Sequence, residues 1–220
     1  EHGADVNTPM NDGRTPVFIA AELGQAGAIT ALVEHGADVN TPDEDGWVPL
    51  LIAAIEGKVG AITALVDAGT NVSSCLKDGR NALCYAAIGG NEGAIKTLAE
   101  LGADINAPDD ENSSPVSFAA QKGKVGAIRA LAELGANVNT PLKGGQTPVF
   151  FAAQLGDIDA ITALVEHGAD VNTPMNDGRT PVFIAAELGQ AGAITALVEH
   201  GADVNTPDED GWVPLLIAAI

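Results

Sequence analysis

Two short helical patterns of apolar residues follow each other between residues 15 and 47. The segment TPVFIAAELG at residues 15–24 is an apolar run that opens on threonine and proline and ends on glycine. A threonine hydroxyl caps a first helical turn, proline is tolerated at the first helical position, and glycine ends a helix. After it, Ala28, Ile29, Leu32 and Val33 recur at three- and four-residue steps and share one face of a second helix, from about Gln25 to Glu34. Residues 37–46 then hold Asp, Asn, Pro and Gly, which favour turns. The pattern predicts a unit of helix, tight turn, helix and projecting loop.

The same unit returns along the whole chain every 33 residues. The glycine that ends the second helix stands at Gly3, Gly36, Gly69, Gly102, Gly135, Gly168 and Gly201. The first helix opens at Thr15, Val48, Asn81, Ser114, Thr147, Thr180 and Val213. One such repeat cannot bury its own apolar face, so a fixed period of this length predicts a solenoid. We therefore expect an all-α protein with a single domain over residues 1–220 and a partial repeat at each end.

These motifs resemble those of the ankyrin repeat. The period, the Thr-Pro that opens the first helix, the alanine pair as at Ala20 and Ala21, and the Gly-Ala-Asp-Val-Asn after the second helix all match that family. The resemblance covers essentially the whole chain. It implies an all-α solenoid of stacked helix–turn–helix units with projecting, β-hairpin-like loops. It also implies a protein-binding module that uses a concave face made of loops and first helices.

One position departs from the family pattern. The histidine of the Thr-Pro-Leu-His signature is absent from every repeat. Its place is taken by Phe18, Leu51, Cys84, Ser117, Phe150, Phe183 and Leu216. We expect a more apolar junction between loop and helix at these places.

Composition narrows the class of partner. The net charge is −20, from 30 acidic and 10 basic residues. Such a chain is unsuited to nucleic acid, which is bound largely through Lys and Arg, and to an anionic membrane surface. It suits a basic protein partner, although the acidic residues can equally have the sole role of keeping the chain soluble. Aromatic residues are only 4%, so we expect a core of Val, Ile, Leu and Ala.

No enzymatic or metal-binding pattern is present in the sequence. The two cysteines, Cys75 and Cys84, form neither a disulfide framework nor a metal motif, and free thiols fit a reducing, cytoplasmic location. We interpret Cys84 as core and Cys75 as loop. The histidines share one position, the end of the second helix, where stacked repeats hold them too far apart to share a metal: His2, His35, His167 and His200. We expect no catalytic residues, no metal and no cofactor.

The resemblance to ankyrin repeats implies contact residues at five positions of each repeat. They are the two residues before the turn glycine, the residue after it, and the two residues after the alanine pair. Carried onto this chain, the partner-binding candidates are Asn11, Asp12, Arg14, Leu23, Glu44, Asp45, Trp47, Ile55, Lys77, Asp78, Arg80, Asp110, Glu111, Lys143, Gln146, Leu155, Arg179 and Trp212. The same positions give Glu22, Glu56, Ile88, Gly89, Ser113, Gln121, Lys122, Gly144 and Gln154.

Trp47 and Trp212 are the only tryptophans, and Arg14, Arg80 and Arg179 hold the same place in other repeats. Trp and Arg are enriched in binding hot spots, which favours a contact role. The alternative is that Trp47 lies flat on its own repeat and covers the loop. Acidic loop residues around Asp12, Asp43, Asp78, Asp109, Asp177 and Asp208 have two interpretations as well. They are a ridge for a Lys- and Arg-rich partner, or solvated turn residues.

Residues 166–220 repeat residues 1–55 without a change, although neighbouring repeats inside this block differ at many positions. The block was therefore duplicated recently or copied by design. The apolar end VPLLIAAI at residues 213–220 has no polar capping repeat. A longer array, end-to-end packing with copies of itself, and an engineered chain are the competing explanations. Function is accordingly interpreted as a protein-binding module, with a structural array or an engineered scaffold as alternatives.

Overall fold

The computed structural model describes residues 5–214. The tertiary contacts divide the chain into two compact units, residues 1–109 and residues 110–220. His2, Gly3 and Leu216, for which the sequence makes predictions, lie outside the described residues, as does most of the apolar end, from residue 215 to residue 220. The single continuous domain over residues 1–220 stays a prediction.

Twelve helices occupy the described part of the chain, and no strand is present there. In the first compact unit they are α1 Pro16–Glu22, α2 Ala26–Glu34, α3 Pro49–Ile55, α4 Val59–Asp67, α5 Ala82–Gly89 and α6 Glu92–Glu100. In the second they are α7 Pro115–Gln121, α8 Val125–Glu133, α9 Pro148–Leu155, α10 Ile158–Glu166, α11 Pro181–Glu187 and α12 Ala191–Glu199. The predicted all-α fold of helix pairs is confirmed.

Each compact unit has two layers of helices. The first helices pack side by side in one layer, as α1, α3 and α5 and again as α7, α9 and α11. The second helices form the other layer, as α2, α4 and α6 and again as α8, α10 and α12. Each helix also packs against the other helix of its own repeat. This arrangement leaves the loops between repeats at one edge of the layers.

The first helices begin where the sequence predicts. The Thr15 hydroxyl accepts the Phe18 amide at 3.3 Å, and Asn81 and Thr180 cap α5 and α11 in the same way. Thr147 is an exception, because its hydroxyl is buried without a hydrogen-bond partner. The position that holds histidine in the family is buried in each described repeat. A phenylalanine occupies it in three of these repeats. The Ser117 hydroxyl, at the same place, lies 3.0 Å from that of Ser114. The junction is thus more apolar, as predicted.

The core is aliphatic, as the composition predicts. The largest fully buried side chains are leucines and isoleucines, among them Leu50, Leu65, Ile95 and Leu131. Small residues allow neighbouring second helices to approach each other closely within their layer. A Cβ placed on Gly93 would lie 3.2 Å from Val59, and one on Gly192 would lie 2.8 Å from Ile158. Gly93 and Gly192 therefore have a packing role, whereas a Cβ at the equivalent Gly27 would meet no heavy atom within 4 Å.

Candidate functional site

The loop tips are hairpin-like turns, as the resemblance implies. The Met10 amide donates to the Arg14 carbonyl at 2.9 Å, and the Asp43 amide donates to the Trp47 carbonyl at 2.9 Å. In the fourth loop Asn112 replaces the turn glycine and adopts a φ of 65°, which asparagine tolerates better than most residues. The turn is thus formed without glycine at this position.

Successive loop tips are joined within each compact unit. The Glu44 amide donates to the Asp12 carbonyl at 3.1 Å, and the Glu209 amide donates to the Asp177 carbonyl at 3.0 Å. Asparagines bridge the loop bases as well: the Asn139 side-chain amide donates to the Gly168 carbonyl at 2.8 Å. The loop edge is consequently held by hydrogen bonds between repeats, and its side chains are displayed from a fixed backbone.

The eighteen partner-binding candidates are all exposed or half-buried. The most exposed apolar candidates are Leu23, Leu155 and Trp212, at 59%, 50% and 45%. Of the further positions, Ser113 was expected at the surface but is 3% exposed. This expectation was wrong, since the small serine lies inside where the equivalent Arg or Trp of other repeats projects outward.

The structure brings five of the candidates together in the first compact unit. Asp12, Arg14, Glu44, Asp45 and Trp47 line one pocket, whose volume is about 340 Å³. Glu22, Phe18, Asp43 and Ile52 complete its lining. The pocket has one wall on the repeat of α1 and the other on the repeat of α3. The remaining candidates of this unit, among them Asn11, Leu23 and Lys77, lie outside it.

An equivalent pocket of about 390 Å³ lies in the second compact unit. Its lining includes Arg179 and Trp212, which the sequence analysis singled out. It also includes Asp177, Asp208, Glu209 and Asp210, which the sequence indicates only as acidic loop residues, and Glu187, which it does not indicate. The identity of residues 166–220 with residues 1–55 is the signal that could have found them.

Ion pairs hold the arginine of each pocket in place. Arg14 Nε lies 2.8 Å from Asp12 Oδ2, and Arg14 Nη1 lies 3.2 Å from Glu22 Oε2. The second pocket has the same two ion pairs. Arg179 Nε lies 2.9 Å from Asp177 Oδ2, and Arg179 Nη1 lies 3.1 Å from Glu187 Oε2. The backbone amide of Arg14 and its guanidinium hold the pKa of Asp12 below its ordinary value. Each arginine is thus committed to carboxylates of its own repeat.

Trp47 contacts the following repeat. Its ring is half-buried and lies 4.6 Å from the ring of Tyr85, which belongs to the first helix of the following repeat. The Trp47 amide donates to Asp43 Oδ1 at 2.8 Å, which fixes the loop that carries the indole. Trp47 therefore packs against a neighbouring repeat while it lines the pocket.

Other candidates have separate partners. Arg80 lies 3.4 Å from Asp78 and 3.6 Å from Asp109. Asp109 is only 8% exposed, so this member of the acidic loops is an interior group and no part of a solvated ridge. In the second compact unit, Lys143 and Glu111 form an exposed ion pair at 3.5 Å.

The residues considered for metal or thiol chemistry have structural surroundings. His35 and His167 each place Nδ1 2.8 Å from a carbonyl oxygen one turn earlier, at the end of the second helix. No cluster of metal-ligating side chains occurs between residues 5 and 214. Cys75 is exposed in a loop and Cys84 is buried in α5, as predicted, and both thiols are free. In the same described stretch, no helix combines the length and apolar character needed to cross a membrane.

Comparisons with known proteins agree with this architecture. The family model described as ankyrin repeats, three copies, matches residues 1–75, 41–109 and 116–208. A search of curated proteins finds no match. Among solved structures, the chain is similar to the crystal structure of the ankyrin repeat domain of Bcl-3, described as a unique member of the IkappaB protein family. The TM-score is 0.82 at 24% identity, over 94% of this chain and 95% of that chain, and at this identity the likeness shows the fold alone.

Proposed function

The chain belongs to the ankyrin-repeat family, and from this premise we propose that it is a non-catalytic module that binds a protein partner through its loop tips and first helices. Ankyrin repeats are general protein-interaction modules, and fold alone names no partner. The single observation that carries the choice of face is the convergence of contact candidates from two repeats in one pocket, which occurs in both compact units.

The loop edge combines a fixed backbone with variable side chains, which supports a recognition role. Hydrogen bonds such as that from the Glu44 amide to the Asp12 carbonyl fix the tips relative to each other. A binding surface that is already ordered loses little conformational entropy on association. The residue after the turn glycine, by contrast, changes between Arg14, Trp47 and Gln146. A fixed frame with a changing tip residue suits specific recognition of one partner.

The net charge favours a basic partner, and the free thiols favour the cytoplasm. With a net charge of −20, the chain attracts a basic surface at long range and accelerates the encounter. The two free thiols fit a reducing compartment. The ionisable groups with shifted pKa values also have structural explanations, as ion-paired loop tips or as a buried thiol. These observations support binding in preference to catalysis.

A paired capture experiment tests this proposal. The wild-type chain and the double variant Trp47→Ala with Trp212→Ala serve as baits for a cytosolic lysate. A matched control changes Thr30→Ala and Thr195→Ala, which lie on the exposed side of the second helices α2 and α12, in the repeats just before those that carry the two tryptophans. Circular dichroism checks that each bait is folded.

We expect one protein to be held by the wild type and by the threonine variant and to be lost by the tryptophan variant. Equal recovery by all three baits would contradict the proposed face. Recovery of the bait chain alone, with growth of particle size at rising concentration in light scattering, would instead favour a self-associating array.

A further inference from the structure

Eight of the lining residues recur at equivalent positions in the two pockets. Each lies between the loop tip of one repeat and that of the next, and each is contained in one compact unit. The two tryptophans are 165 residues apart, which is the spacing of the copied block. A feature that the fold builds twice from identical residues can be tested twice in one molecule, with one pocket as the control for the other.

One wall of each pocket is aromatic. The Trp47 indole is held at its backbone by the 2.8 Å bond from its amide to Asp43 Oδ1, and Trp212 is held by the same bond to Asp208. Phe18 and Phe183 lie beneath, almost fully buried. An indole ring is the aromatic group that attracts cations most strongly through the negative potential of its face. Trp212 is 45% exposed, so a ligand can reach it.

The lining of each pocket also carries uncompensated negative charge. Five carboxylates and one guanidinium line the first pocket, and that guanidinium is already paired with Asp12 and Glu22. Asp43 uses one oxygen to accept backbone amides of its own turn. The carboxylates of Glu44 and Asp45 are exposed and have no hydrogen bond or ion pair with any described residue. They are available to an incoming cation.

We propose that each pocket binds one lysine or arginine side chain of a basic peptide segment, with the cationic group between the indole ring and the free carboxylates. This inference rests on the proposed function and names the chemistry of the partner at the contact. A volume of about 340 to 390 Å³ accommodates a long side chain and its charged end. A lysine or arginine side chain would place its aliphatic stem against the indole ring and its charged end near the carboxylates.

The two tryptophans provide a direct measurement, because they are the only indole groups in the chain. In a ¹⁵N-labelled sample, each indole N–H gives its own signal. A blocked tetralysine peptide is the probe, and the same peptide with every lysine acetylated is its uncharged counterpart. We expect both indole signals to shift saturably with the lysine peptide and neither to shift with the acetylated one.

Single variants assign the two sites. Trp47→Ala removes one signal and should leave the saturable shift of Trp212, and Trp212→Ala should do the converse. Two double variants of equal net charge distinguish binding in the pockets from a diffuse attraction between the peptide and the acidic protein surface. Glu44→Gln with Glu209→Gln alters the pockets, whereas Glu34→Gln with Glu199→Gln alters the ends of α2 and α12 in the same repeats. We expect the first pair to weaken binding about two- to fivefold and the second pair to leave it unchanged.

Three outcomes would overturn the inference. The first is that neither indole signal moves. The second is equal weakening by the two glutamine pairs, which would show diffuse attraction. The third is an equal shift of the indole signals with calcium chloride alone, which would assign the pockets to a metal ion.

The peptide result and the capture experiment fail independently. A Trp-dependent partner together with silent indole signals would retain the binding module and remove the cation pocket.

Discussion

The indole ring of Trp47 lies 4.6 Å from the phenol ring of Tyr85, centroid to centroid, with 49° between the ring planes. The pair joins the loop before α3 to the helix α5 of the next repeat. Trp212 occupies the same place in its loop, has no ring partner among the described residues, and is 45% exposed. Identical loops therefore hold tryptophans with different surroundings.

Replacement of Tyr85 by leucine should release Trp47 while it keeps the buried volume largely filled. We expect a loss of about 0.5 to 1.5 kcal/mol in the free energy of unfolding, the usual contribution of an aromatic pair. In a Trp212→Phe background, the emission of Trp47 should shift to longer wavelength. Urea unfolding followed by fluorescence measures both effects. Tyr85→Phe keeps the ring and should leave the emission unchanged; a red shift there would contradict the role of the ring pair.

Gly13 and Gly46 provide a matched test of the contact between loop tips. Both have a φ above 80°, so alanine strains the backbone by roughly 1 to 2 kcal/mol at either position. At Gly13 the new Cβ would also lie 2.8 Å from the Glu44 amide nitrogen, whereas at Gly46 no heavy atom lies within 4 Å. Gly13→Ala should therefore lower the unfolding free energy more than Gly46→Ala, as measured by urea titration. Equal losses would mean that the tips separate at no cost.

The asparagine bridges between loop bases are present in some repeats and absent in others. The Asn139 side chain donates to the Gly168 carbonyl and accepts the Asp170 amide, each at 2.8 Å. Asn40 occupies the equivalent position and has no side-chain hydrogen bond to a described residue. We expect Asn139→Ala to cost about 1 to 2 kcal/mol of unfolding free energy, and Asn40→Ala about 0.5 kcal/mol or less. Thermal and urea unfolding would compare them, and a larger loss at Asn40 would contradict the bridge.

The two thiols should differ sharply in reactivity. Burial raises the pKa of the Cys84 thiol to about 12, and Cys75 is exposed. Because the thiolate is the reactive form, the folded chain should consume one equivalent of a disulfide reagent at pH 8, and a second only after unfolding. Cys75→Ser should abolish the first reaction. A rapid second equivalent in the folded Cys75→Ser variant would show that α5 opens readily.

Acid should weaken the loop tips. Bonds from the Arg14 backbone and side chain lower the pKa of Asp12 from 3.8. Burial alone raises the pKa of Asp177, but the bonds from Arg179 outweigh it and the pKa is lowered too. A carboxylate whose pKa is lowered by folding stabilises the folded state at any pH above its unfolded-state pKa. This stabilisation is lost as the pH falls through its folded-state pKa. The double variant Asp12→Asn with Asp177→Asn should thus be less stable than wild type at pH 7, and the difference should shrink below about pH 3.8. A difference independent of pH would contradict this linkage.

Local signals in the sequence predicted the helices closely, because proline or a capping residue marks the start of each first helix and the apolar period marks each second helix. The second helix was expected from Gln25 to Glu34 and runs over Ala26–Glu34. Contacts between repeats were less predictable. The 33-residue period places Asp12 beside the loop of Trp47, but it does not say that Trp47 turns toward Tyr85, that Ser113 is buried, or that Asp109 is drawn inward by Arg80. These outcomes depend on which side chains fit together across two repeats, which no single repeat encodes.

Because each pocket has one wall on each of two neighbouring repeats, its width depends on the tilt between them. Pulling the repeats of α1 and α3 apart at the loop edge would separate Arg14 from Trp47 before either helix pair lost its own core. A side chain bound between them would resist that tilt, and tension on the chain would in turn hasten its release. Occupancy of the pocket is in this way coupled to mechanical load on the repeats.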